Sequence, residues 1–277
     1  MAANQQINAG ATQRFETISD EDEVRSSVPF TVGSAQTIGQ RALQEDSFLA
    51  SDLDKQDYQT SGILAVVADG VGGVSNGQVA SSTVVRAICN QYAQQDKTTD
   101  EQFLLELLAA AQREVRQVIQ SSGVKCASTL VCALVRDMQL SFLSVGDSRI
   151  YLYRNGGLIP LTREHVVSRT ADEAIVQGKA VAAIPAAQRK ALTSYLGKEG
   201  LPMIDRNLTP IRLIAGDRVL LMSDGVFGTL NEDQMISCIV GSAQETADAM
   251  IRAVERAKRT AQDNATCVVI ACRTSNE

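Results

Sequence analysis

The stretch Leu64–Gly77, LAVVADGVGGVSNG, decides how the rest of the chain is read. An apolar, β-branched run, Ile63–Ala68, stops at Asp69-Gly70, passes through Gly72-Gly73 and gives way to a helical pattern from about Gln78. The run is short and apolar, which predicts a buried strand. The glycines after it free the backbone for a tight, open turn. A carboxylate at the mouth of a buried strand needs hydrogen bonds, a cation or a metal to offset its lost hydration.

The same device recurs along the chain. VLLMSDG at 219–225 delivers Asp224, and FLSVGDSR at 142–149 delivers Asp147. QDNATCVVI sets Asp263 just before another strand, and RALQEDSFLA supplies Glu45 and Asp46. Together they make an oxygen-only donor set suited to hard divalent ions. Two such ions sharing carboxylates lower the pKa of a bridging water and clamp an oxyanion for displacement, and phosphate esters are the natural substrates for that clamp. A guanidinium suits the non-bridging phosphoryl oxygens. Arg41 lies four residues before Glu45, although on its own it reads as a surface charge. Each acid also has a plainer reading as a turn cap or salt-bridge partner. Asp217, in AGDR, is read as a turn residue only.

A chain of 277 residues with 44% apolar content can bury one substantial core. Its formal net charge of −6 gives no electrostatic footprint for nucleic acid or an anionic membrane. The apolar runs are strand-sized, too short to cross a bilayer, and the first residues lack the basic-then-apolar pattern of a secretory signal. Six cysteines without a CxxC pair are read as core residues of a reducing, cytoplasmic protein. With His165 as the single histidine, His-rich zinc catalysis is disfavoured.

Residues 1–28 are polar and predict a flexible tail ahead of one domain over 29–277. Strands are expected at Phe30–Gly39, Asp46–Ser51 and Ile63–Ala68, with a hairpin-like polar stretch at Lys55–Ser61. Two amphipathic helices follow: Gln78–Gln95, burying Val79, Thr83, Ala87, Ile88 and Tyr92, and Glu101–Ser121. Strands at Cys126–Arg136, Gln139–Val145 and Arg149–Arg154 have links short enough to force antiparallel pairing. The polar segment 162–206 is read as an inserted flap, centred on about 166–196. Strands at Arg212–Leu213 and Arg218–Ser223, helices at about Glu232–Val240 and Ala243–Gln262 (the latter set by Ala247, Met250, Ile251, Val254 and Ala257), and a strand at Thr266–Ala271 complete the chain. Runs of strands alternating with pairs of helices argue for an α+β layered sandwich.

The order RALQED, ADGVGG, ASTL, VGDSRIYLYRNG, LTREH, LLMSDG, DNATCVVI resembles the metal-dependent type-2C protein phosphatases, specifically their compact bacterial members. The resemblance runs from about Phe30 to Cys272. It implies an αββα sandwich: two central antiparallel sheets flanked by helix pairs, with a small flap. It implies that Asp69 bridges two Mg²⁺ or Mn²⁺ ions with the Gly70 carbonyl on one of them, and that Asp224 and Asp263 complete the other site. Asp147, with Asp224, would hold a weaker third ion, or else serve as a structural acid paired with Arg149. Glu45 and Asp46 would hold metal-bound waters or brace the site, Asn264 would orient the loop carrying Asp263, and Arg41 would bind phosphate. The implied activity is hydrolysis of phosphoserine and phosphothreonine in proteins by a metal-bridging hydroxide, opposing a Ser/Thr kinase in bacterial signalling.

The pattern has departures. Val71 stands where some relatives carry a histidine, Glu164 replaces an aspartate in LTREH, and Ser194 replaces an arginine in LTSYLG. His165 is expected to pack and hydrogen-bond beneath the flap rather than act as an acid, and Arg189 and Lys190 to be solvated flap charges. Expected partners are phosphoprotein substrates and a cognate kinase, with neither nucleic acid nor membrane, for a monomer. Two other functions stay open: a catalytically weak phosphoprotein-binding adaptor, and a phosphatase of a small metabolite.

Overall fold

The computed structural model describes residues 30–51, 62–71, 76–93 and 99–273. The expected tail, the 55–61 stretch, Gly72-Gly73 and the last residues of the first expected helix lie outside them. The elements, in order, are β1 (Phe30–Thr37), β2 (Asp46–Ala50), β3 (Ile63–Asp69), α1 (Gly77–Tyr92) and α2 (Asp100–Ser122). Then come β4 (Leu130–Arg136), β5 (Gln139–Val145), β6 (Arg149–Arg154), β7 (Gly157–Pro160) and α3 (Val167–Val176). A 3₁₀ turn (Ala186–Gln188) leads to β8 (Asp205–Arg206), β9 (Ile211–Arg212), β10 (Arg218–Met222), α4 (Asp224–Phe227), α5 (Glu232–Ser237), α6 (Ala243–Arg256) and β11 (Ala265–Cys272).

Two antiparallel sheets form, ordered β1-β11-β10-β6-β7 and β2-β3-β4-β5-β8, with β9 also on β5. Strand alternation sorts one apolar run into two layers. In β3, Leu64, Val66 and Ala68 meet α1 and α2, whereas Ile63, Ala65 and Val67 face the other sheet. In β11, Val268 and Ile270 complete the inter-sheet layer while Cys267 and Val269 pack under Ala247, Met250 and Val254 of α6. Both faces are covered, so these runs carry no polar alternation. Helices, sheet, sheet, helices is the expected α+β sandwich.

Some boundaries differ from expectation. In α1 the buried face is Ala80, Thr83, Val84, Ala87 and Ile88, and Val79 is exposed. Small residues at spacings of three and four set that face, one step round from Val79. Helix α6 starts at a capping box, Ser242 with Glu245, and stops at Arg256 rather than Gln262. Ala257 is its exposed C-cap, and Lys258 turns left-handed at φ 47°. The chain must leave the helix there to bring Gln262 and Asp263 back to the sheet. Strands β7 and β8, the latter inside the expected flap, and helix α4 are too short for a periodicity to announce. The first strand of the middle group begins at Leu130, preceded by an isolated bridge at Ser128. Cys89 is exposed, unlike the other five cysteines.

Candidate active site

Antiparallel pairing sends the acid-bearing ends of the central strands to one edge of the sandwich. Asp46 and Asp69 face one another across β2 and β3. Asp147 follows β5, Asp224 opens α4 after β10, and Asp263 precedes β11. Both sheets therefore contribute to one edge.

The backbone around Asp69 is fixed from several sides. Its N–H donates to Thr129 Oγ1 at 3.0 Å, and its carbonyl accepts from Thr129 N at 2.8 Å and Ser128 Oγ at 3.1 Å. Gly70 N donates to the Glu45 carbonyl at 3.1 Å. A Cβ on Gly70 would lie 2.4 Å from the Gly77 carbonyl carbon, and one on Gly77 2.8 Å from Glu45 Oε1. Glycine at both positions is thus what lets the strand end, the start of α1 and Glu45 meet.

Asp46 is buried and links the sheets. Its Oδ2 accepts from Ser223 Oγ and Thr266 Oγ1, both at 2.7 Å. Burial pushes its carboxyl up to about 6, against those two hydroxyls and with help from Asp224 and Asp263. Burial also raises Asp69 well above its ordinary value, reinforced by Asp46, Asp224, Asp147 and Asp263. Asp147 is raised to about 6 by burial and then by Asp224. Asp224 is raised by burial and then by Asp263. These carboxylates share one field and lack enough positive charge. Among the described residues no three acidic, histidine or cysteine side chains close into a ready-made metal cage. The donor chemistry of the set, oxygen throughout and starved of cations, fits hard divalent ions.

Arg41 lies at the rim, with Nη2 on Asp263 Oδ2 at 2.6 Å and the two side chains 43% and 36% exposed. An exposed pair of this kind contributes little, ~0–1 kcal/mol, and exchanges readily. The Asn264 side chain reaches across to the loop before β2. Its Oδ1 accepts from Glu45 N at 2.7 Å and its Nδ2 donates to the Ile38 and Leu43 carbonyls at 2.9 and 3.1 Å, pinning the loop that carries Arg41.

Arg149 is not the partner of Asp147: it binds Glu164 and Tyr151 Oη and lies 3.9 Å over the Phe227 ring. Glu164 of LTREH thereby clamps Arg149. His165 is 1% exposed, its Nδ1 accepts from Gly146 N at 3.1 Å, and burial lowers its pKa, so it is a neutral packing residue as expected. Lys190 is exposed, as expected of a flap charge. The flap segment carrying it is tied to α3 by Ser168 N to the Arg189 carbonyl and Val167 N to the Ala191 carbonyl, at 3.0 and 2.9 Å. Its charge pulls down both Asp147 and Asp224.

The hydroxyls were present in the sequence motifs without an assigned part: Ser148 meets Thr129 Oγ1 at 2.7 Å, and Ser223 and Thr266 hold Asp46. Their signal is adjacency for Ser148, Ser223 and Thr266, each within three residues of an acid, while Thr129 has none.

The sequence pattern of the family described as Protein phosphatase 2C matches residues 35–262. The chain is 29% identical over 240 residues to the serine/threonine protein phosphatase PstP of Mycobacterium tuberculosis, across 82% of this chain and 44% of PstP. It therefore spans less than half of that relative's length. It is also similar to the catalytic domain of the serine threonine protein phosphatase PstP in complex with two manganese ions, with a TM-score of 0.69 and 25% identity over 88% of this chain and 99% of that one. The S. agalactiae serine/threonine phosphatase superposes with a TM-score of 0.73 at 21% identity, over 88% of this chain and 100% of that one, a likeness of fold. Matched in sequence over most of its length and in fold over nearly all of the described part, this chain belongs to the protein phosphatase 2C family.

Proposed function

We propose that this chain is a metal-dependent phosphatase of phosphoserine and phosphothreonine in proteins. The observation that carries the reading is the convergence of Asp69, Asp147, Asp224 and Asp263 on one edge, the first three buried beside like charges and the fourth at the rim with Arg41. Asp69, the Gly70 carbonyl, Asp224 and Asp263 would hold two Mg²⁺ or Mn²⁺ ions, and Asp147 with Asp224 a weaker third. When bound, such ions supply Lewis-acid activation and charge stabilisation for in-line phosphoryl displacement.

The chain's own groups do the rest. Arg41 exchanges Asp263 for the phosphoryl oxygens, which its planar fork can grip in pairs. Asp46, held by Ser223 and Thr266, keeps the two sheets, and hence Asp69 and Asp224, in fixed relation. Glu45 and Asn264 position the Arg41 loop. Water rather than a side chain attacks phosphorus: buried Cys126, Cys132, Cys238, Cys267 and Cys272 have thiols raised by burial, away from the reactive thiolate form. His165 is spent on Gly146. The reading extends to a cytoplasmic monomer that opposes a Ser/Thr kinase in bacterial signalling. Among the described residues no helix is long and apolar enough to cross a membrane.

The test is phosphate release from a phosphothreonine peptide in Mn²⁺ or Mg²⁺, with EDTA and Asp224→Ala as controls. Turnover abolished by both supports the proposal. A folded protein with no turnover in either metal points to a phosphoprotein-binding adaptor, and turnover confined to small phosphate esters to a metabolite phosphatase.

A further inference from the structure

Arg149 stands two residues after Asp147 and does not pair with it. At that separation the two Cα atoms lie at most about 7.6 Å apart, a gap that an arginine and an aspartate side chain bridge between them. The pair is also one that Asp147 lacks. Burial and Asp224 raise its carboxyl, and Arg149 and Lys190 act on it only through space. Arg149 reaches Asp224 in the same way. Something therefore holds the guanidinium back from two carboxylates whose fields it feels.

Three contacts do so. Nη2 pairs with Glu164 Oε1, Nη1 donates to Tyr151 Oη at 2.7 Å, and the guanidinium lies 3.9 Å over the Phe227 ring. Phe227 closes α4, the four-residue helix that Asp224 opens. The guanidinium thus rests against the carrier of one acid and two residues from another. A phenol and a ring face are weaker partners for it than a carboxylate is.

Glu164 is the one contact of opposite charge, and its position is fixed from both sides. On one side, Arg163 N donates to Asp205 Oδ2 at 2.8 Å. On the other, His165 N donates to the Gly146 carbonyl at 2.8 Å and His165 Nδ1 accepts from Gly146 N at 3.1 Å. The His165 carbonyl accepts from Thr193 N at 2.8 Å. The two bonds to Gly146 join the residue after Glu164 to the residue before Asp147. The clamp and the acid it spares are built on one backbone junction.

We propose that Glu164 is a positioning residue that holds Arg149 off Asp147 and so leaves that carboxylate to a divalent cation. The identity of the cation rests on the metal-dependent reading above, whereas the restraint on Arg149 stands on the chain's own contacts. Without the Glu164 charge, the guanidinium turns to the nearest carboxylate short of positive charge, which is Asp147, and competes with ions there.

The first half of the test needs no metal. In EDTA at neutral pH, Asp147→Asn should raise the melting temperature of the full chain, because Asp147 has no ion-pair partner. In a Glu164→Gln background the same change should lower it, because Arg149 has become that partner. A shift of the same sign in both backgrounds would overturn the inference. A merely structural Glu164 would lower both melting curves without reversing the sign. The second half is calorimetric titration carried to millimolar Mn²⁺, so that the weaker site at Asp147 and Asp224 fills. Affinity there should fall about tenfold in Glu164→Gln and return in Glu164→Gln with Arg149→Met, whose adaptable side chain still packs on Phe227. Undiminished affinity in Glu164→Gln, or a double variant no better than the single one, would also overturn it. Failure of the phosphatase reading alone would appear as absent phosphate release by the wild type with the melting-temperature reversal intact.

Discussion

The two ends of the β-sandwich treat their carboxylates in opposite ways. At the far end, Asp217 is 1% exposed and gripped by Arg154 through Nε at 2.9 Å and Nη2 at 2.6 Å, with Ile214 N adding a third bond at 2.8 Å. Asp100 there is likewise held by Arg136. At the other end, Asp69, Asp147 and Asp224 are buried with their like charges as neighbours and with cations only at a distance. One end satisfies its acids from within the chain and is structural. The other leaves them wanting charge, which is how a fold stores affinity for cations it does not make itself.

The largest expected effect follows at the unsatisfied end. Asp69→Asn should lower phosphate release by about a thousandfold or more. In EDTA the same variant should raise the melting temperature, since it removes an uncompensated buried charge. A fall there would mean Asp69 already has a partner. The matching change at the satisfied end, Asp217→Asn, should do the reverse. It strands the Arg154 guanidinium and should cost on the order of 3 kcal/mol in chemical denaturation, with kcat per folded molecule unchanged.

A third effect concerns pH. Asp46 and Asp147 have folded-state values of about 6 against 3.8 for the unfolded chain. Between those limits the native state binds more protons than the unfolded one, so stability falls as pH rises. In EDTA, melting temperatures of the wild type should drop relative to Asp147→Asn from about pH 4 to about pH 6 and then run parallel. Saturating Mn²⁺ should remove the difference. The smallest effect belongs to Lys190. Lys190→Ala takes away a charge that competes with cations at Asp147 and Asp224, and should tighten Mn²⁺ binding by about threefold. Calorimetry reads this without turnover, and unchanged affinity would mean that the Lys190 charge does not reach the acidic edge.

The contrast between the ends explains what could be read from the sequence. Asp69 and Asp224 were legible because a doubly covered strand is an unbroken apolar run, and an acid-glycine pair at its end stands out. The layers followed from the same runs. Asp46 was visible as an acid but not as the link between sheets, because Ser223 and Thr266 lie 177 and 220 residues away. The Asn264 contacts to Ile38, Leu43 and Glu45 are equally distant in sequence. Arg149 stands two residues from Asp147, yet its ion pair goes to Glu164, a choice made by tertiary packing on Phe227. Val79 and Ala257 show the limit of periodicity, which gives a helix a face but neither fixes its rotation to within one residue nor tells where it must stop to serve another element.

The measurement that bears most directly on the unsatisfied end is calorimetric titration of Mn²⁺ into the chelator-stripped full chain, beside Asp69→Asn. The account predicts two saturable sites in the wild type and loss of both in the variant, which keeps its fold. Absence of Mn²⁺ binding by the folded wild type, or undiminished binding by Asp69→Asn, would contradict it.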